Sequence, residues 1–416
     1  MKTIHLISIA AAAITLMGCE KDLPSSNSAN GTETTVFTEL AVPADFDWQM
    51  VSEVQCNITS EHPTKVALAT DQNAEPFATF MVGEGYDPMT VSISNALSTV
   101  SIRYQAADET WKSSTIPAAK TITFAVPADC LNYAANSSRA GEVKSQIIYP
   151  NPATWGTLLF EDLWPGYGDY DLNDLALSYR VEQDLVDNKV VSMTVKIKVE
   201  AVSGALDFNV GMSLHSILSR EIKSIDVVYN NKVSNKIATT WNTEAANNYA
   251  IIRMNGLRSN TADRPTGKYN YVNTEHGCEL TSDKLAQFNY IITFTEPIEP
   301  MFLTMKELNF FINRIDAQDR HIEIHMGGFK PTYEANRDYE TIRRNSINTN
   351  KQNKPYFSNS NLVWALNVPA AIAHAYEAES FLLAYPEFQG WVTSNGVANK
   401  EWYLNGVDDK LVRVRK

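Results

Sequence analysis

From Leu175 the chain alternates. Leu175, Leu177, Tyr179 and Val181 are apolar while Ala176, Ser178 and Arg180 take the other face, the period of a half-buried strand. A polar turn over 182–189, carrying Asp187-Asn188, leads to a second alternating run. There Val191, Met193, Val195, Ile197 and Val199 oppose Ser192, Thr194, Lys196, Lys198 and Glu200, and the two runs together predict a β-hairpin. Upstream, Phe46 and Trp48 with 51–59, then 65–70, 78–82, 90–93, 100–104 and 121–126, are short strand-like runs broken by Gly, Pro and Asn. Such spacing predicts a β-sandwich of immunoglobulin-like size over 36–128. Residues 129–146 contain few bulky side chains and read as a linker, so a second β-sandwich domain is expected over 147–416. Further strands are expected at 205–211, 224–229, 249–254, 288–294, 309–313 and 323–326, with long polar connections that would decorate the sandwich ends. Residues 332–360 are strongly polar and read as either a long excursion or a mobile segment. Helical residues enter at 370–394, where Phe381, Tyr385, Phe388 and Trp391 are spaced by four and three, although Pro386 limits any helix to short pieces. The fold class is therefore all-β: two β-sandwich domains with short C-terminal helices.

The first residues break this pattern. Lys2 opens a nearly uncharged apolar run that ends in Leu16-Met17-Gly18-Cys19, too short to span a membrane and shaped as a signal peptide over 1–18. A cysteine at that point reads as a lipoprotein signal, with Cys19 the lipidated first residue of the mature chain. Residues 19–35, rich in Ser, Asn and Thr, cannot bury enough surface to fold and are expected to be a flexible tether. Glu20, Lys21 and Asp22 form a short charged patch similar to signals that send lipoproteins of Gram-negative bacteria to the outside of the outer membrane. The chain of 416 residues carries a net charge of −13, and removal of 1–18 takes away Lys2 alone, leaving −14. That balance argues against nucleic acid or an anionic lipid surface as partner. Membrane association would be through lipid only. Cys56, Cys130 and Cys278 remain, an odd and widely spaced set without a disulfide framework or a CxxC motif. Cys56 lies on an alternating strand and is expected to be buried.

Candidate chemistry concentrates in Phe160 to Val181, FEDLWPGYGDYDLNDLALSYRV. Asp169, Asp171 and Asn173 sit at alternate positions of a turning loop, from which short oxygen-bearing side chains can converge on one point. Ca²⁺ requires six to eight oxygen ligands. Gly166 and Gly168 relax the backbone on the way in. The loop is not an EF-hand, because the sixth and twelfth places counted from Asp169 hold Asp174 and Arg180 instead of Gly and Glu. Further ligands would come from Asp174, from Glu161 or Asp162, or from a distant segment. The alternative is an Asx-rich turn whose side chains bond their own backbone before a strand begins.

The same stretch resembles the signature of the LruC-type domain, a family of bacterial lipoprotein and secreted domains with an FEDLWP…GDYDxND core and no established activity. EIHMGGFKPT at 323–332 is similar to the family's EIHLPGYKPT, with Met326 and Gly327 in place of Leu-Pro. Trp364 to Pro369, then Ala384-Tyr385-Pro386-Glu387-Phe388 with Trp391, and finally Trp402-Tyr403, resemble its closing pattern in order and spacing. The resemblance covers about residues 150–416. It implies a calcium-binding loop and brings no catalytic residues.

Other chemistry is absent from the sequence. No phosphate-cradling loop with Lys-Ser/Thr occurs, and no G-x-S-x-G elbow. His321 and His325 flank alternating apolar residues, so they lie on a strand roughly 13 Å apart, too far to share one zinc ion. His215, His276 and His374 stand in ordinary contexts. Paired acids invite a glycosidase reading, but catalytic carboxyls flank a bound sugar and a cluster this tight suits one cation better. Trp155, Trp164, Tyr167 and Tyr170 could stack on a sugar, or pack the loop onto its sheet. The function expected is thus a non-enzymatic, lipid-anchored cell-envelope or surface protein of the outer membrane, with a Ca²⁺-binding loop and a binding or adhesion task toward a glycan or protein. An extracellular hydrolase acting on a polymer is the alternative.

Overall fold

The computed structural model describes residues 40–134, 145–203, 206, 208–230, 232–233, 239–257, 274–276, 285–350, 352, 354–377 and 379–412. The signal segment, Cys19, the tether, Cys278 and residues 135–144 of the expected linker lie outside them. Seven strands come first: β1 (Val51–Thr59), β2 (Thr64–Ala69), β3 (Ala78–Val82), β4 (Met89–Ser94), β5 (Thr99–Gln105), β6 (Trp111–Pro117) and β7 (Thr121–Ala125). Next are β8 (Ser145–Tyr149), β9 (Gly156–Phe160), β10 (Leu175–Val186), β11 (Lys189–Val202), β12 (Asn209–Leu218), β13 (Ile222–Tyr229), β14 (Lys232–Val233), β15 (Thr239–Trp241) and β16 (Tyr249–Met254). The chain ends with β17 (Gln287–Ile298), β18 (Leu308–Ile315), β19 (His321–His325), α1 (Asn336–Asn345), β20 (Ala365–Val368), β21 (His374–Ala375), α2 (Phe381–Ala384), α3 (Pro386–Thr393) and β22 (Leu411–Val412). The all-β expectation holds, and the C-terminal helices are short because Pro386 opens α3 and separates it from α2.

One long sheet runs in the order β14-β13-β17-β11-β10-β8-β3-β2-β5-β6. Three smaller sheets accompany it among the described residues, β4-β1-β7, β15-β16-β12-β18-β19 and the two-stranded β21-β22. Val54 and Cys56 share one hydrophobic core with Val66, Leu68 and Phe80, and that core continues through Ile197 and Tyr290 to Met212, Ile252 and Phe310. The boundary expected at 129–146 meets a sheet that passes through it. Ala78 pairs with Ile147 and Thr79 with Gln146, joining β3 to β8. Residues Thr35–Lys416 accordingly form one compact unit. Backbone pairing of this kind is invisible to composition, which registered only the small side chains between the two regions.

Several local readings change. Phe46 and Trp48 are not part of the β1 strand they precede; they pack with Phe388 and Trp391 in a second hydrophobic core under the C-terminal helices. The hairpin turn is Asp187-Asn188 alone, both at positive φ, and 182–186 prolong β10. A bulge between Val190 and Ser192 puts Val190 on the buried face and leaves Val191 half-exposed, so the inward set begins one residue earlier than the alternation suggests. Polar 332–360 includes α1, whose Tyr339 and Ile342 are buried one turn apart. β6 carries no alternation, because Lys112 to Thr115 are polar and exposed on a sheet edge.

Candidate metal centre

The acidic stretch connects two paired strands. β9 ends at Phe160, which lies opposite Leu175 at the start of β10, so the loop 161–174 closes an antiparallel pair. β9 is buried at every position, between β10 and β20. The loop's first residue is tied into that layer, since Glu161 N–H donates to Trp364 O at 2.9 Å. Glu161 therefore starts from a fully buried backbone and its side chain is 0% exposed.

The backbone then takes a left-handed conformation at alternate residues: Gly168 (φ 65°), Tyr170 (59°) and Leu172 (57°). For bulky residues this conformation costs about 1–2 kcal/mol each, so something must hold it. Tyr170 and Leu172 supply that hold: both are buried in the C-terminal core with Phe381, Tyr385 and Trp402. Tyr170 Oη donates to Val363 O, and Leu172 N–H donates to Glu161 Oε1 at 2.6 Å. With the apolar residues anchored on one side, the intervening Asp169 and Asp171 turn to the other. Carboxylate oxygens of Glu161, Asp169 and Asp171 come within 4.8 Å of one another.

The other predicted oxygen donors are placed differently. Asn173 Oδ1 accepts from Ser203 Oγ at 2.9 Å, and its Nδ2 donates to Ala375 O at 3.2 Å, which ties the loop to β21. Asp174 Oδ2 accepts the Asp162 N–H at 2.8 Å across the loop base. Asp162, 2% exposed, lines a small crevice with Phe208 and Arg314, and its Oδ2 receives Leu206 N–H at 3.4 Å.

Electrostatically the cluster is frustrated. Burial raises the Glu161 carboxyl well above the usual range, and Asp174, Asp171 and Asp169 push it further. Asp174 is raised for the same reasons, burial first and Asp162 next. Glu161 Oε2 is sealed from solvent and has no hydrogen-bond partner among the described residues. A buried carboxylate oxygen without a partner is costly, and a cation beside Asp169 and Asp171 would supply what it lacks. Hard oxygen donors of this kind suit Ca²⁺, with backbone carbonyls and water completing six to eight ligands. Gly168 fits the arrangement, since a Cβ there would stand 2.8 Å from Glu161 Oε2.

The aromatic residues of the stretch pack the loop. Trp164 stacks on Tyr339 of α1 (5.3 Å, 8°), and Tyr167 stacks on Trp364 (5.8 Å, 9°). Trp155 is covered by Lys198 and Arg180, whose charged groups stand 4.3 and 4.9 Å from its ring centroid. Residues that sequence reasoning passed over complete the anchoring: Ser203, Val363 and the Ala375 carbonyl. Nothing in their local sequence marks them, since each acts through one contact distant along the chain.

Comparison with known proteins adds a family. The model described as Domain of unknown function (DUF4842) matches residues 188–403, more than half of the chain. The chain belongs to this family. The matched DUF4842 region contains α1, β20 and the C-terminal helices that hold the acidic loop, while the loop itself precedes it. The crystal structure of a "Putative lipoprotein from Bacteroides ovatus" matches with a TM-score of 0.63 at 18% identity, over 84% of this chain and 99% of that one, which shows a shared fold. BcpA, the major pilin subunit of Bacillus cereus, matches at a TM-score of 0.17 and 9% identity over 66% of this chain and 67% of its own, too slight a likeness to bear on the fold. No curated protein matches.

Proposed function

We propose that this DUF4842 protein is a lipid-anchored, non-enzymatic module of the cell envelope, held to the outer membrane through Cys19. In it, Ca²⁺ bound by Glu161, Asp169 and Asp171 locks the C-terminal layer onto the long sheet, and the task is binding or adhesion to a glycan or a protein. The observation that carries the metal part is Glu161: a fully buried carboxylate whose Oε2 lacks a hydrogen-bond partner among the described residues, and whose carboxylate comes within 4.8 Å of those of Asp169 and Asp171. Support for the anchor comes from the Leu16-Met17-Gly18-Cys19 pattern, from the LruC-type motifs, and from the fold shared with a lipoprotein-described structure. No helix among the described residues is long and apolar enough to cross a membrane, which is consistent with attachment by lipid and says nothing of a β-barrel.

Calcium is expected to couple to folding, because the loop it would close fixes the start of β10 and grips β20 and β21. At an affinity on the order of 10⁻⁴ to 10⁻³ M, millimolar calcium contributes roughly 0.5 to 1.5 kcal/mol. Thermal melts of the full chain in chelator and in calcium test this reading. Calcium should raise the melting temperature by about 1–4 °C, magnesium much less, and Asp171→Ala should abolish the difference. Equal melts in both buffers, with no metal retained on elemental analysis, leave the Asx-turn reading. For the anchor, Cys19→Ser should move the protein from the membrane to the soluble fraction, and retention at the membrane refutes lipidation.

A further inference from the structure

Away from the acidic loop, a cleft of about 450 Å³ opens between the face of β1 and β4 and the turn that follows α3. Its size is that of small-ligand sites. We propose that this cleft binds a neutral oligosaccharide. The assignment rests on the binding-module reading above and gives that reading a site and a ligand class.

Charge comes first. The protein is acidic overall, yet the cleft is locally balanced: Asp45 and Asp47 line it together with Lys120 and Lys400. A charged ligand would find no excess of opposite charge, whereas hydroxyl groups both donate and accept and match a mixed lining. Next is the indole of Trp391. The residue is 5% exposed and wedged against Phe46 (4.9 Å) and Phe388 (5.7 Å), so its position is rigid. Its Nε1–H has no hydrogen-bond partner among the described residues and is not among the sealed polar atoms, and Gly396 at φ +76° leaves the space beside it clear. A fixed, unpartnered donor is thereby presented to the cleft. The rim is braced as well. Asn95 Nδ2 donates to Gln49 O at 2.9 Å, Gln49 N–H donates to Asp47 Oδ1 at 2.9 Å, and Asn395 Nδ2 donates to Asp45 Oδ2 at 3.3 Å. These bonds leave the Gln49 side-chain amide available. Val54, Ile93 and Leu97 form an apolar floor for the C–H face of a sugar ring.

An extended peptide suits the cleft less well. Behind it β1 is already paired on both sides, Val54 with Val91 of β4 and Cys56 with Ile122 of β7, so β1 offers no ladder for strand addition. None of the carboxylates of the acidic loop lines the cleft.

The test is calorimetric titration of the full chain, in saturating calcium, with maltotriose, xylotriose, mannotriose and chitotriose. At least one should bind, and both Ala119→Arg, which fills the cleft from an exposed position, and Gln49→Ala should weaken that binding about tenfold or more with unchanged melting temperatures. A sugar bound equally well by both variants overturns this site while leaving the binding-module reading in place. No binding of any of the four, or binding of a tryptic casein digest that the same variants abolish, overturns the sugar assignment. The calcium melt above is independent of all these outcomes.

Discussion

Glu161 concentrates the opposing demands of the acidic loop. Its Oε1 is satisfied by the Leu172 N–H, its Oε2 is not, and its neighbours are negative. On the proposed reading, the side chain destabilises the fold without a cation and would become a ligand with one. Glu161→Gln separates the two states, since the amide keeps the Oε1 acceptor and removes the charge. The variant is expected to melt no lower than wild type in chelator and to lose the calcium response entirely. A drop of several degrees in chelator, measured in the same thermal scan, would mean that the carboxylate is stabilised by something other than a metal. A second residue gives a pH signature. His374 on β21 is fully buried, its Nε2 has no partner among the described residues, and burial lowers its pKa to about 4. Between the unfolded value of about 6.5 and the folded one the unfolded chain binds more protons, so stability falls as pH drops through that window and levels off below about 4. This group alone accounts for a loss of up to about 3 kcal/mol. His374→Leu should flatten that part of the profile in urea melts run from pH 7 to pH 4. His215 and His325 are also lowered by burial and keep a residual slope of the same sign.

Among elements, the β10–β11 hairpin shows how a turn can act at a distance. Asp187 and Asn188 both take positive φ (49° and 61°), the geometry of a two-residue hairpin turn. Asn188 then uses its side-chain amide as a strand would use its backbone. Oδ1 accepts from Met81 N–H at 2.9 Å and Nδ2 donates to Met81 O at 2.8 Å, so the hairpin tip docks onto β3. Asn188→Ala should lower unfolding free energy by about 1–3 kcal/mol, read from urea denaturation. Asn188→Gly, which tolerates the backbone angle, should lose a similar amount; recovery to wild-type stability would assign the effect to the turn and not to the docking. Two glycines show a related device within strands. Gly156 lies opposite Tyr179 and Gly211 opposite Phe311, and in each pair the ring covers the glycine. A Cβ on Gly156 would fall 2.5 Å from Tyr179 Cε1, so even alanine there must displace a buried ring.

For the whole molecule, the decisive contact is β3 with β8. It makes one sheet of strands that composition assigns to two domains, and the hairpin tip at Asn188 adds a second tie between the same regions. Thr304 Oγ1 donates to Glu53 Oε1, and Met305 N–H donates to Ser92 Oγ at 2.9 Å, so β1 and β4 are bonded directly to the segment before β18. A protease site inserted within 136–141 and cleaved to completion should therefore give two pieces that co-elute on size exclusion and separate only in denaturant. Independent elution of two folded pieces would restore the picture of two autonomous sandwiches.

Alternation along the chain was enough to place β3 and β16, and β2, β4, β5, β7, β13, β18 and β19 to within two residues, because side-chain period is a property of the strand itself; β8, β9 and β20 carried no such signal and were not expected. Likewise the spacing of Asp169 and Asp171 marked the acidic turn, and Pro386 limited the helices. The sequence could not say that Glu161 meets these two aspartates while Asn173 turns away to Ser203 and Ala375. That choice follows from Tyr170 and Leu172 being seated in a core built by residues some two hundred positions later. Nor could it show that Phe46 and Trp48 belong with Phe388 and Trp391, or that β3 pairs with β8. Local pattern fixes which face of an element is apolar. Which other apolar face covers it, and which backbone edge completes its hydrogen bonds, is decided only when distant segments compete for the same surface in the folded chain.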